Sequence, residues 1–292
     1  MKVLLPSRLL PVALLAALAG LSYAGPRQTK SEVEDIGDIS EASSDGKSQV
    51  KEVAPVEPVK HFRFNIGTRA QYTSNAKMTG DHDSNDVIFF PTIEGGYNTK
   101  LGQLFSFDSA LRVESGIYSD HSDRSFIGYS LQNTLDFRPR PNLPRVFVGF
   151  EPYRYDNFDK KGLITEALAV SVGTDYGIGF NNGKSLAFVG YTFATHFANP
   201  TSDDREVSTA IVGLTHQFLP TLTGQVYYQF ENSHYYNFDR DDSRNVIGLS
   251  LTYQLTRRIF TTLSGSWVDN NSSDERASYQ SAGGALGFNL QY

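Results

Sequence analysis

Histidines next to carboxylates are the residues of this sequence best suited to acid–base chemistry. They occur in two acidic stretches, Asp81-His82-Asp83 and Asp120-His121. A carboxylate that orients an imidazole allows it to act as a general base toward water. The remaining histidines have no carboxylate beside them in the chain: His61, His196, His216 and His234.

Other kinds of catalytic or cofactor site are excluded by what the sequence lacks. It has no cysteine, which rules out disulfides, thiol nucleophiles and cysteine-based zinc sites. There is also no phosphate-binding glycine loop, no dinucleotide motif and no pair of histidines at helical metal-binding spacing. The net charge of −6 argues against nucleic acid as a partner. We therefore expect no catalytic residue, no cofactor and no metal.

A second group of reactive side chains consists of charged residues that alternate with apolar ones. Arg63 and Arg69, for example, lie on the face opposite Phe62, Phe64 and Ile66. Successive side chains of a β-strand point to opposite faces, so this spacing predicts strands with one apolar and one polar face. The same rule assigns to the polar face Arg63, Arg69, Glu94, Asp108, Arg112, Glu114, Asp136, Glu151, Asp175 and Glu231.

Twelve segments with this alternation follow one another after residue 60. Their cores are predicted near 61–73, 86–98, 104–118, 125–137, 145–155, 164–179, 185–197, 207–218, 222–231, 245–255, 258–268 and 279–292. Most are long enough to cross a bilayer as tilted strands. The fold class is therefore all-β, with one closed antiparallel transmembrane β-barrel of about 12 strands, or roughly 10 to 14. The alternative is a soluble β-sandwich, but the polar face carries too many charges for a core.

The connections between these segments fall into two alternating classes. The short ones are predicted at 99–103, 138–144, 181–184, 219–221 and 256–257, and their flanks carry Lys and Arg. The longer ones, at 74–85, 119–124, 156–162, 198–205, 232–243 and 269–277, are rich in Asp. Short periplasmic turns and longer acidic extracellular loops are typical of outer-membrane barrels.

The first 60 residues differ from the barrel segment. Lys2 and Arg8 precede an apolar run that ends at Ser22-Tyr23-Ala24, the pattern of a signal peptide spanning 1–24 and removed after export. Residues 25–60 are polar and charged with almost no aromatics, which predicts a disordered periplasmic tether. The alternative for this segment is a plug or a partner-binding arm. The barrel domain is therefore expected at 61–292.

The last residues of the chain carry a family resemblance. Leu286, Phe288, Leu290 and Tyr292 alternate with polar or small residues, and the chain stops on the aromatic side chain. This pattern resembles the C-terminal signal of bacterial outer-membrane β-barrel proteins of the porin-like kind. The resemblance implies a location in the outer membrane and recognition by the barrel-assembly machinery. It also implies contact with outer-membrane lipid and lipopolysaccharide, and a monomer is favoured.

Three classes of function are compatible with such a barrel. The first is a narrow porin-like channel for passive diffusion of small polar solutes or ions, lined by the ten polar-face residues. The excess of acidic over basic residues among them favours cations. The second is a non-conducting structural or adhesive barrel that acts through its surface loops, with its lumen filled by Arg–carboxylate pairs.

The third class, an outer-membrane enzyme, is less well supported. Some outer-membrane phospholipases use Ser, His and Asn on the outer wall, and His216 is predicted to face lipid. However, its position near the periplasmic end is the wrong leaflet for that chemistry. His196 is predicted to face inward near the outer rim. Omptin-like proteases resemble this chain only in having Asp and His in surface loops.

Overall fold

The computed structural model describes residues 61–78, 84–140, 143–158 and 162–292. The predicted signal peptide, the predicted tether and the 81–83 stretch lie outside these ranges. The strands are β1 (Phe62–Thr73), β2 (Asp86–Leu101), β3 (Phe105–Tyr118), β4 (Phe126–Phe137), β5 (Arg145–Asn157), β6 (Gly162–Phe180), β7 (Ser185–Asn199), β8 (Arg205–Leu219), β9 (Leu222–Tyr235), β10 (Arg240–Gln254), β11 (Ile259–Ser272) and β12 (Tyr279–Gln291).

The strands close into a single barrel in which each one is hydrogen-bonded to its sequence neighbours, and β1 pairs with β12. All of these pairings are antiparallel. At the closure, the backbone N–H of Tyr292 donates to the carbonyl of Phe64 over 2.8 Å, and the reverse bond spans 3.2 Å. The prediction of a closed antiparallel barrel of about 12 strands is confirmed.

The predicted assignment of alternate residues to the outer and inner faces of the strands is also confirmed. Outward side chains along β1, such as Phe62, Phe64 and Ile66, are exposed, whereas Arg63 and Asn65 are half-buried. The C-terminal residues Leu286, Phe288, Leu290 and Tyr292 all belong to the exposed apolar set. An apolar outer surface with a paired backbone is what hydrocarbon requires of a barrel. The role of these four residues as an assembly signal stays a prediction.

Several strands extend further toward the long-connection end than the alternation predicted. The 232–243 loop was the clearest error, because β9 continues to Tyr235 and β10 already begins at Arg240. Asn232 and Ser243 join these extensions by a side-chain hydrogen bond of 3.2 Å. Beyond the apolar belt both faces of a strand can be polar, so the period-two pattern disappears while the backbone pairing continues.

Helical structure within the described ranges consists of one-turn 3₁₀ helices at Ser122–Arg124, Thr201–Asp203 and Glu275–Ala277. Each lies in a connection at the long-connection end, which we call the extracellular end. None of the helices in these ranges has the length and apolar character of a membrane-spanning helix.

The root of the β1–β2 connection folds into the extracellular end of the barrel. Asn75 and Ala76 are 0% and 1% exposed, and Ser84 is 2% exposed. Arg124 of the β3–β4 connection donates hydrogen bonds to the carbonyls of Ala76 and Lys77 over 3.4 and 3.3 Å. The expectation that 74–85 would be a surface loop is therefore wrong for its root.

Candidate functional site

The lumen is the candidate site, because the ten charged residues predicted for the polar face all lie at strand positions whose side chains face inward. Even-numbered positions face inward on β2, β3 and β4, and odd-numbered positions do so on β1, β5, β6 and β9. Glu94 and Asp136 are the most buried of the set, at 6% and 9% exposure. Whether they line an open pore stays a prediction.

At the periplasmic end, β1, β2 and β3 are joined by a chain of ion pairs. Arg63 makes a bidentate contact with Asp108, in which NH2 lies 2.8 Å from Oδ1. Arg63 also lies 3.8 Å from Glu94, which in turn accepts from Arg112 over 2.8 Å. Gly96 makes this chain possible, since a Cβ there would lie 2.6 Å from Arg63 Cζ. A larger residue at 96 would displace the Arg63 side chain.

A second ion-pair chain joins β4, β5 and β6. Arg145 Nε donates to Asp175 over 2.8 Å, and its NH1 lies 3.4 Å from Asp136. The guanidinium also lies over the ring of Phe147, 5.2 Å from its centroid. In the sequence Arg145 follows the predicted 138–144 turn and was counted among its basic flanking residues, so its lumenal position was not predicted.

In the middle of the lumen, Arg69 stacks on an aromatic ring. Its Cζ lies 4.5 Å from the centroid of Phe90, a favourable cation–π geometry. Glu114 accepts a hydrogen bond from the hydroxyl of Tyr155 over 3.1 Å, and Glu151 faces the same space from β5. On the opposite wall, Glu231 lies 3.6 Å from Arg244.

Three more arginines of the inner wall, Arg205, Arg240 and Arg244, lie toward the extracellular end. Arg205 and Arg240 both lie over Tyr235, with Cζ 5.5 and 4.6 Å from the ring centroid. Arg240 is also paired with Asp242. Counting these arginines and Arg145, the inner face is closer to charge balance than the acidic excess that the sequence predicted. The apolar alternation stops before Arg205 and Arg240, so it could not assign them to the inner face.

The inner wall of β10, β11 and β12 has a different character from the charged wall. At the level of the ion pairs it carries small or hydroxyl side chains, all half-buried: Ser250, Thr252, Thr262, Ser264, Ser266 and Ala285. None of these side chains is long enough to reach the opposite wall.

An apolar layer crosses the lumen above these polar levels. One buried cluster joins Ala76 to the inward rings and aliphatic chains of β2–β5, among them Phe90, Phe126 and Tyr155. A second joins Val246, Val268 and Tyr279 of β10–β12. Met78 packs against both clusters. The β1–β2 root therefore bridges the two sides of the lumen.

The described histidines have different contact partners. His121 Nδ1 lies 2.9 Å from Asp86, not beside Asp120 as the sequence suggested. His196 faces inward and its Nδ1 lies 3.1 Å from the hydroxyl of Tyr153. His82 lies outside the described residues. Within the described part of the chain, no group of three or more His, Asp or Glu side chains has the geometry to hold a metal ion.

A serine–histidine contact lies on the outer wall. His216 faces outward near the periplasmic end, and its Nδ1 lies 2.8 Å from Ser185 Oγ. Ser185 is only 5% exposed, so its hydroxyl is poorly placed to attack a lipid ester. The ring of Phe218 packs edge-on against His216 at 4.8 Å.

Comparison with known proteins supports the barrel assignment. Residues 188–292 match a protein family described as "Putative beta-barrel porin 2". No curated protein sequence is significantly similar to the chain. Among solved structures, an outer membrane channel from Pseudomonas putida F1 superposes with a TM-score of 0.55 at 10% identity, covering 81% of this chain and 100% of that one.

A second solved structure is similar over nearly the whole length. The translocator domain of the autotransporter NalP from Neisseria meningitidis superposes with a TM-score of 0.51 at 12% identity, covering 96% of this chain and 97% of that one. Identities this low establish the fold alone. The chain thus has the porin-like β-barrel fold of bacterial outer-membrane proteins, and this fold implies an outer-membrane location.

Proposed function

We propose that the chain is a narrow outer-membrane channel for passive diffusion of small polar solutes or ions. The observation that carries this proposal is the contrast between the two inner walls. The charged wall of β1–β6 faces a wall of small, half-buried residues that includes Ser250, Thr262 and Ser264. Small barrels are filled by side chains and wide ones hold water, and short hydroxyl side chains on one wall favour a lumen that holds water.

The apolar layer at Met78 crosses the path of the proposed channel. A hydrated ion loses stabilising contacts with water when it enters such a layer. Passage therefore requires the β1–β2 root to shift away from one of the two apolar clusters. Below this layer, the ion pairs of Arg63, Arg112 and Arg145 fix the charge along the path.

Single-channel recording on the refolded protein tests the proposal. We expect discrete conductance steps from the wild type, and larger or more frequent steps from Met78→Ser, which weakens the apolar layer. Ser264→Trp should lower the step size by narrowing the lumen. The matched control is Leu263→Trp, because Leu263 is the next residue on β11 and is 58% exposed on the outer face. It should leave the step size unchanged.

Heat-modifiable migration on a gel verifies that each variant has folded. If folded wild type and folded Met78→Ser both leave the bilayer silent, the channel proposal is wrong. Equal loss of conductance in Ser264→Trp and Leu263→Trp would also count against a lumenal path, since only one of them changes the lumen.

The second candidate is a non-conducting structural or adhesive barrel. The closed apolar layer favours it, because Asn75, Ala76 and Ser84 are as buried as core residues. In this case the acidic connections would contact lipopolysaccharide or a surface partner. The silent bilayer described above is the result that selects this candidate.

A hydrolase is the least supported candidate. The serine nearest to a histidine on the outer wall, Ser185, is buried at the periplasmic end. The carboxylate–histidine pair at the extracellular end, Asp86 and His121, has a carboxylate with 0% exposed side chain that is occupied by backbone donors. Lipase and peptidase assays on His121→Ala and His196→Ala would detect a contribution of either residue.

A further inference from the structure

The periplasmic end of the barrel carries exposed cations and no acidic side chain in its short connections. These connections lie at 102–104, 138–144, 181–184, 220–221 and 255–258, and none of them contains Asp or Glu. The exposed cations in them and at the end of β2, which together we call the cationic face, are Lys100, Arg140, Lys184, Arg257 and Arg258.

The charges of the cationic face are not neutralised by neighbouring carboxylates. Inner-wall carboxylates near this end are already paired with lumenal arginines: Asp108 with Arg63, and Asp136 and Asp175 with Arg145. Within the described residues, none of the five cations forms a salt bridge. Arg258 lies over the ring of Tyr292 at 4.0 Å, a contact that leaves its positive charge in place. The cationic face is therefore suited to an anionic partner.

The chain itself contains such a partner immediately before the barrel. Residues 32–45, which lie outside the described residues and which we call the acidic block, contain no Lys or Arg and six carboxylates: Glu32, Glu34, Asp35, Asp38, Glu41 and Asp45. In the rest of the 25–60 segment, basic residues outnumber acidic ones. The negative charge before the barrel is thus concentrated in one short stretch.

The chain enters the barrel beside the cationic face. The carbonyl of His61 accepts from the backbone N–H of Asn98 over 2.7 Å, and Asn98 is two residues before Lys100. Residues 46–60 separate the acidic block from His61 and can span roughly 50 Å when extended. Twelve strands at a spacing of about 4.8 Å and a tilt of about 40° give a barrel roughly 24 Å wide. The acidic block can therefore reach every short connection.

We propose that the acidic block docks on the cationic face, across the periplasmic mouth of the barrel. A single exposed ion pair is weak, but several form at once here. The short tether also holds the block at an effective concentration on the order of millimolar. Because exposed charges are screened beyond about 8 Å at physiological ionic strength, the docking is sensitive to salt. This interaction is independent of whether the lumen conducts.

Disulfide formation between two introduced cysteines tests the docking. The chain has no cysteine, so Ser40→Cys in the acidic block and Gln103→Cys in the β2–β3 connection supply a unique pair. The full chain is refolded with one barrel per phosphatidylcholine nanodisc. At about 20 mM salt we expect disulfide formation about five- to tenfold faster than in a variant whose six block carboxylates are changed to amides. At about 1 M salt the two rates should be equal.

Variants of the cationic face provide the reciprocal test. Combining Lys100→Gln, Arg140→Gln and Lys184→Gln should lower the rate toward that of the amide variant. Arg276→Gln, in an extracellular connection where the arginine is 77% exposed, should leave it unchanged. Heat-modifiable migration verifies that each barrel has folded.

Two results would overturn the proposal. The first is an equal rate for the acidic and amide blocks at low salt. The second is a fast rate that disappears when phosphatidylglycerol replaces part of the phosphatidylcholine, because anionic lipid head groups would then be the ligand of the cationic face.

Discussion

The imidazole of His121 lies against a carboxylate that is itself completely enclosed. Its Nδ1 is 2.9 Å from Asp86 Oδ2, and the Asp86 side chain is 0% exposed. The same carboxylate accepts backbone N–H bonds from Ser119, Asp120 and His121 over 3.0 to 3.1 Å. Asp86 therefore fixes the β3–β4 connection, whose Arg124 reaches the β1–β2 root.

Replacing Asp86 by Asn should loosen this arrangement. The neutral amide accepts hydrogen bonds more weakly and cannot satisfy all of these donors, so we expect a loss of about 1–3 kcal/mol in unfolding free energy. Urea titration of the barrel refolded in vesicles measures it. Asp120→Asn is the matched control, because Asp120 is exposed. An equal loss in both variants would contradict the assigned role of Asp86.

Much of this architecture could be predicted from the sequence because strand alternation is a local signal. Arg63, Glu94 and Asp108 could be assigned to one face from spacing alone, since neighbouring side chains of a strand point to opposite sides. The alternation could not show which of them pair. The contact of Arg63 with Asp108 crosses β2 and depends on the missing side chain of Gly96, which is a matter of three-strand packing.

Features at the extracellular end could not be predicted in the same way. Lumenal Arg205 and Arg240 lie at strand ends beyond the apolar belt, where outward residues are no longer apolar. The inward fold of the β1–β2 root depends on Met78 finding apolar partners on distant strands. A loop with polar composition carries no local sign of such contacts.

Asp203 is expected to make stability depend on pH. It lies in the β7–β8 connection and is 5% exposed, and burial raises the pKa of its carboxyl to about 6. In the unfolded chain the pKa is about 3.9. The folded state therefore binds more protons between these values, and stability is greatest below the unfolded pKa and falls as pH rises to about 6.

The substitution Asp203→Asn should remove this dependence. The variant should be more stable than the wild type at alkaline pH by up to about 3 kcal/mol, and nearly equal to it at acidic pH. Urea titrations across the pH range measure the difference. Asp239→Asn, on an exposed turn, should leave the profile unchanged. A stability gap between wild type and Asp203→Asn that does not vary with pH would exclude this explanation.

Arg112 should set part of the ion preference of the proposed channel. Its loss removes the guanidinium that donates to Glu94 over 2.8 Å. For Arg112→Gln we expect the cation-to-anion permeability ratio to rise about two- to fivefold, as up to about 1 kcal/mol of Coulomb attraction in water would give. Reversal potentials in a salt gradient measure the ratio. Arg276→Gln, in a connection where the arginine is 77% exposed, should not change it.

The stability change expected on replacing Asn133 is opposite to the one that hydrophobicity alone would predict. Asn133→Leu adds apolar surface to a wall that faces lipid, yet it removes the donor that bonds the carbonyls of Leu131 and Phe150. We expect the variant to lose about 1–3 kcal/mol in unfolding free energy. Thr195→Leu, at a half-buried outward position on β7, should be neutral or stabilising.

A substitution at Pro152 tests the cause of that cost. The register of β4 and β5 skips the two positions between Ser130↔Tyr153 and Asn133↔Phe150, and Pro152 has no N–H to donate there. Pro152→Ala supplies the missing N–H, so a backbone bond between β5 and β4 can take over part of the role of Asn133. Asn133→Leu should then cost less in the Pro152→Ala background than in the wild type, giving an interaction energy of about 0.5–3 kcal/mol in a double-mutant cycle. Strictly additive effects would show that Asn133 stabilises the wall by another route, because the N–H added at position 152 and the Asn133 amide would then not share the Leu131 carbonyl.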